Sequence, residues 1–221
     1  MADTVHTTLA NVFGPVLMAV GAAAVVGGEF AMRFVARQLG SEGITLPTGE
    51  QIGAEVRGGA ISPDDAGRLE PFAGQRLTSG PQARAYADNY VLAHMLTAAR
   101  RAGVPDDLAT YAGVGDLVTE KTRTLRDEIR TARPEMSGPE VALLAKAEIG
   151  DPETEFDIAR EIAGLNALRS DNFFMGNAIR GMLLNAYGWW LVGMVARTAG
   201  WALAGIGGVL GVAGLRGRRR A

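Results

Sequence analysis

The chain has 221 residues, no cysteine and a formal charge of −2. The missing thiols exclude disulfides, thiolate metal sites, iron–sulfur clusters and cysteine nucleophiles. Nearly half of the residues are hydrophobic, yet the mean hydropathy sits near zero, so apolar ends must flank a polar middle. That middle, residues 41–181, carries 22 Asp and Glu against 15 Lys and Arg, and this acidic balance argues against a nucleic-acid partner.

Residues 9–28, LANVFGPVLMAVGAAAVVGG, are apolar over about the twenty residues needed to cross roughly 30 Å of hydrocarbon. Secretory signals open with Lys or Arg, and residues 1–8 contain neither, which favours a retained span over a cleaved signal. Phe30, Phe34 and Val35 then alternate with Arg33, Arg37 and Gln38 at helical spacing, so the helix is expected to leave the membrane and continue as a stalk to about residue 40.

Residues 44–47 read as extended, because Pro47 disfavours helix at its predecessor. Helix starts follow. Thr48 with Gln51, Ser79 with Gln82 and Ser137 with Glu140 have capping-box spacing, and Ser62-Pro63 and Asp151-Pro152 place a cap before proline. They predict helices over 49–57, 63–72, 80–102, 139–149 and 152–168 in an all-α domain. Residues 116–133 form a further helix with a thin apolar stripe of Val118, Leu125, Ile129 and Ala132, expected as a solvated arm or docking surface.

The second apolar segment is the longer. Twenty residues counted back from Leu215 give a span over 196–215, followed by Arg216, Arg218, Arg219 and Arg220, with Arg197 at the opposite boundary, where it can snorkel. Tyr187, Trp189, Trp190 and Trp201 would form an aromatic belt there, and residues 182–195 would extend the helix as a second stalk. Gly200, Ala204 and Gly208 recur every fourth residue, and Gly207 and Gly211 form a second close pair. Such small residues allow helices to approach, so the packing partner is expected to be the N-terminal helix or a second copy of the chain.

The expected organisation is therefore a tail (1–8), a first span with stalk (9–40), an acidic helical domain (41–177), a second stalk with span (178–215) and a basic tail (216–221). The dense terminal arginines place both termini in the cytoplasm and the domain outside, in a multi-pass cell-membrane protein.

Candidate chemistry is sparse. His94, the domain's single histidine, shares a helical face with Tyr86 and Tyr90, and these three are the candidate pocket lining. No nucleophile or second ligand lies at a catalytic or metal-binding spacing, which favours a histidine bonded to a tyrosine or to backbone. Asp151, Glu153, Glu155 and Asp157 alternate like half of a calcium loop, but Phe156 and Ile162 stand where that loop needs glycine and glutamate. They read instead as charge at a helix N-terminus, as do Asp64-Asp65 and Asp106-Asp107. Gly113-Val114-Gly115 lacks a preceding strand, so it is not a phosphate loop. This reading assigns no cofactor, no metal and no catalytic residue.

Residues 72–94, FAGQRLTSGPQARAYADNYVLAH, and 180–190, RGMLLNAYGWW, resemble a family of small two-pass actinobacterial membrane proteins with a helical extracytoplasmic domain between their spans. The resemblance implies that topology and no particular activity. The name aromatic ring-opening dioxygenase, sometimes attached to such proteins, would demand more histidines for iron than this chain has. The leading expectation is a non-enzymatic accessory or interaction subunit of a membrane complex, with the bilayer and another membrane protein or a second copy as partners. A membrane-anchored module for a small molecule or lipid is the alternative.

Overall fold

The computed structural model describes the backbone of residues 2–218 and the side chains of residues 9–217. Residues 1 and 219–221, and the side chains of 2–8 and of Arg218, lie outside it, including Arg219 and Arg220 of the basic tail. Among the described residues helix makes up 83% and there is no strand, so the fold is all-α.

In order, the helices are α1 (Ala2–Ser41), α2 (Gly49–Arg57), α3 (Pro63–Leu69), α4 (Gly80–Tyr86), α5 (Leu92–Arg101), α6 (Tyr111–Ala132), α7 (Gly138–Gly150), α8 (Asp157–Ala167) and α9 (Met175–Arg218). Two π-helical turns, Ala87–Val91 and Leu168–Phe174, join α4 to α5 and α8 to α9 with no intervening loop. The chain divides into two compact units: 1–46 with 74–84 and 183–221, and 47–73 with 85–182.

The first unit is a helical hairpin. α1 begins at Ala2, so the expected N-terminal tail is helical, and Pro15 is accommodated inside the helix. The segment 74–84 belongs to this unit as well. Leu46 N–H donates to Gln75 O and Leu77 N–H to Ile44 O, each at 2.9 Å, around an isolated antiparallel bridge between Thr45 and Arg76. Leu46 and Leu77 are fully buried there. Trp190 lies against Gly80, where a Cβ would come within 2.6 Å of the indole, and Arg84 donates to the Tyr187 hydroxyl at 3.2 Å. Tyr187 and Trp190 are thus half-buried against protein, whereas Trp189 and Trp201 are exposed.

The second unit is the helical domain, and capping chemistry places most of its starts. Thr48 and Gln51 bond reciprocally at the head of α2, and Ser62 with Asp65 at the head of α3. The Ser137 hydroxyl and N–H both donate to the Glu140 carboxylate, which holds that carboxyl below the usual range. α2 and α5 both end at a left-handed glycine, Gly59 and Gly103, a backbone state that costs other residues a Cβ clash.

Among the described residues, two hydrophobic clusters of this domain lie along α6. Met95, Ala99, Val114, Leu165 and Phe173 anchor one; Leu125, Ile129, Val141, Ala145, Ala159 and Ile162 anchor the other. α6 runs through both, so the expected solvated arm is a central core helix. The thin stripe misleads because α7 and α8 both pack on it, and Leu125 and Ile129 are fully buried. The helix expected from residue 152 starts at Asp157 instead. Asp151 ends α7, its Oδ1 accepting the Glu153 N–H at 2.9 Å, and buried Thr154 pins the turn by donating to Glu148. Asp151, Glu153 and Glu155 therefore sit on a turn, not on the first turn of a helix.

Candidate functional site

In the helical domain, Tyr86, Tyr90 and His94 follow one another at four-residue spacing through the π turn into α5, and their rings stack. The Tyr86–Tyr90 centroids are 4.9 Å apart with planes 13° from parallel, and Tyr90–His94 are 4.4 Å apart and tilted by 43°. Glu55 of α2 closes the group. The Tyr90 hydroxyl donates to Glu55 Oε1 at 3.1 Å, while Oε2, cut off from solvent, lies 3.4 Å from His94 Nε2 without a formed hydrogen bond.

His94 Nδ1 faces the Tyr90 carbonyl at 2.8 Å, and because a carbonyl can only accept, Nδ1 carries a proton. An attractive contact between Nε2 and the Glu55 carboxylate then needs a second ring proton, so the charge on this pair decides whether it binds or repels. Tyr90 is held in its neutral form: burial, together with the neighbouring Glu55 charge, pushes its hydroxyl up to about 12. Burial likewise raises Tyr86. All three sequence-predicted residues come together, but they touch one another and Glu55, the member that sequence reasoning missed. Its lone signal was its place on the amphipathic helix α2.

Both π turns of this domain have polar anchors. Arg180 Nε donates to Ala87 O at 3.1 Å, and its Nη2 to Asp88 Oδ1 at 3.0 Å. An extra residue in a helical turn misaligns its carbonyls, and this guanidinium binds one of them. Asn89 is buried and donates to Ala85 O, whereas Asn172, in the second π turn, keeps a buried side-chain oxygen without a hydrogen bond. Arg169 stacks over Tyr111 at 4.2 Å and donates from Nε to the Tyr111 carbonyl. Gly113 is the close-approach glycine of its motif. A Cβ there would lie 2.6 Å from Leu108 O, while one on Gly115 would meet the flexible Arg169 guanidinium at 3.2 Å.

In the hairpin unit the decisive feature is a seam of glycines. A Cβ on Gly14 would lie 2.8 Å from Gly211 N and 3.0 Å from Gly207 O; one on Gly21 would lie 2.6 Å from both Gly200 O and Ala204 N. Gly28 meets Gly193 O and Arg197 N, and Gly214 meets the Asn11 side chain. The helices are antiparallel, with facing glycines whose numbers total 221 at each of three levels. The contact recurs every seven residues, at 14, 21 and 28 on α1 and at 193, 200, 207 and 214 on α9. A seven-residue repeat stays in register when two helices coil left-handedly.

Of the small residues singled out from sequence, Gly200, Ala204 and Gly207 line this seam and Gly211 contributes backbone. Nothing lies within 4 Å of a Cβ built on Gly208. The packing repeat is thus seven residues rather than four. At one end of the seam Glu29, unnoticed in the sequence, accepts from Arg33 at 3.0 Å and from Arg197 across the hairpin at 3.3 Å.

The chain matches no protein-family model, no curated protein and no solved structure.

Proposed function

We propose that the chain is a two-pass membrane protein whose glycine-zipped hairpin anchors the acidic helical domain, and that it serves as a non-enzymatic accessory subunit of a membrane complex. Two helices are long and apolar enough to cross a bilayer. The observation that carries the reading is their register. The spans counted independently from hydropathy, 9–28 and 196–215, face each other across the seam with an offset of three residues, less than one helical turn. Both hydrocarbon segments would therefore occupy the same slab.

Their outward faces support it. Val26, Trp201 and Val209 expose 70%, 65% and 71% of their surface, values a watery environment would penalise along the whole hairpin. The domain then lies on one side of the membrane and both termini on the other, with the terminal arginines favouring a cytoplasmic placement of the termini.

The glycine stripe is taken up by the chain's own N-terminal helix, so it supports no external partner. Support for an interaction role comes instead from the domain's Phe174, Met175, Ile179 and Met182, an exposed apolar stripe with helical spacing. Alkaline carbonate washing should leave the full-length chain in the membrane pellet, and protease added to intact cells should cut within 41–181. Purification in mild detergent should return a stoichiometric partner that M182D and I179D release. Release of the chain by carbonate would sink the membrane reading, and a clean monomer would sink the subunit reading.

A further inference from the structure

At the Glu29 end of the hairpin, α1 and α9 enclose a groove of about 690 Å³. One side is apolar, with Val26, Phe30 and Trp201 exposed into it; the other carries Arg33, Arg37 and Arg197 around the single carboxylate of Glu29. We propose that this groove holds an anionic phospholipid, its phosphate on the arginines and an acyl chain against Phe30 and Trp201.

Charge selects the occupant. Three guanidinium groups against one carboxylate leave a formal surplus of two positive charges on the groove wall. Glu29 takes a single contact from each of Arg33 and Arg197, and a guanidinium has five N–H donors, so most of the fork remains available to an anion. Among the described residues no carboxylate lies within 4 Å of Arg37. Arg33 and Arg37 are one turn apart on the same helix, the spacing at which two side chains can converge on one phosphate. The apolar wall selects an amphiphile over a free anion, since inorganic phosphate would leave Phe30 and Trp201 uncovered.

The inference rests on the membrane reading, in which Arg197 marks the hydrocarbon boundary and the groove opens at headgroup depth. Purified full-length protein in neutral detergent is titrated with phosphatidylglycerol, phosphatidylcholine or inorganic phosphate, read by native mass spectrometry and by quenching of tryptophan with bromine-labelled chains. Phosphatidylglycerol should bind about tenfold or more tightly than phosphatidylcholine. R37Q should weaken it about fivefold, R33Q/R37Q further, with phosphatidylcholine unaffected, since each arginine near an anionic headgroup contributes on the order of 1 kcal/mol. W201F should remove part of the quenching.

Equal affinity for the two lipids, or unchanged binding by R33Q/R37Q with its helical circular dichroism intact, overturns the proposal. Displacement of the lipid by equimolar inorganic phosphate overturns it too, by making the groove a general anion site. Carbonate washing separates the two levels. A variant that stays in the pellet but loses lipid preference supports the groove on an intact anchor, and wild-type protein released by carbonate refutes both readings.

Discussion

Substituting Gly200 and Gly208 by alanine should have opposite consequences, although the two glycines are eight residues apart on one helix and look alike in sequence. A Cβ on Gly200 would sit 2.6 Å from Gly21 O and 2.8 Å from Val25 N, whereas one on Gly208 meets nothing within 4 Å. Ordinary contact with those atoms needs about 3.5 Å, so G200A must push the helices apart by nearly an ångström. The obstructing atoms are backbone and cannot rotate away. A gap of that size forfeits a quarter to a half of each dispersion contact along the neighbouring seam, and overpacking of this kind costs about 1–3 kcal/mol.

G208A carries no such cost and gains helix propensity, up to about 1 kcal/mol. The full-length protein in mixed micelles can be unfolded with sodium dodecyl sulfate and followed by tryptophan fluorescence. G200A should lower the midpoint and raise the unfolded fraction roughly tenfold at a fixed composition, while G208A should leave the midpoint unchanged or raise it. G21A, whose Cβ would strike Gly200 O, should mimic G200A. Equal midpoints for G200A and G208A, or a larger loss in G208A, would refute the seven-residue seam.

Tyr90 retains its proton in the folded state above the ordinary tyrosine value of about 10, so the stability it contributes is complete below that pH. It is lost as pH rises toward 12, through about 1 kcal/mol once partial exposure is discounted; a phenolate absorbance titration should show the highest transition vanish in Y90F. Leu125 is fully buried between α6, α7 and α8, so L125A should cost about 2–5 kcal/mol and strip hydrogen-exchange protection from α7 before α5. R180K should destabilise the Ala87–Val91 turn nearly as much as R180M. Lysine's compact ammonium lacks the two spaced, coplanar nitrogens that reach Ala87 O and Asp88 separately, and faster amide exchange in that turn would show it. G113A should lower thermal stability and G115A should not, because the first meets Leu108 backbone and the second a movable arginine.

How much of this was legible in the sequence depends on whether the signal was local. Caps are local: a hydroxyl and a carboxamide or carboxylate three residues apart satisfy each other wherever they occur, and Thr48–Gln51 and Ser137–Glu140 were readable for that reason. Asp151-Pro152 failed because the same residues also make a turn, and buried Thr154 tipped the balance from outside the motif. The burial of α6 was illegible because it depends on two other helices arriving at Leu125 and Ile129. The π turns were hidden for a related cause. Neither ADNYV nor LRSDNFF has a composition that demands an extra residue per turn, and Arg180, which binds the first, lies more than ninety residues away.

The hairpin shows where a long-range feature does become readable. Any single stripe of small residues on α9 is ambiguous, since Gly200, Ala204 and Gly208 satisfy a four-residue rule while Gly193, Gly200, Gly207 and Gly214 satisfy a seven-residue one. The ambiguity is resolved by α1, which has glycines at 14, 21 and 28 and so offers a matching groove only at the longer period. Glu29 and Arg197 then confirm the antiparallel pairing, because they meet at one end of that register and at no other offset of a full repeat. This half-exposed ion pair would cost more in desolvation than it returns if it were placed a heptad deeper, inside hydrocarbon. Its position therefore fixes both the register of the helices and, in the membrane reading, the depth at which the arginine groove meets the lipid headgroups.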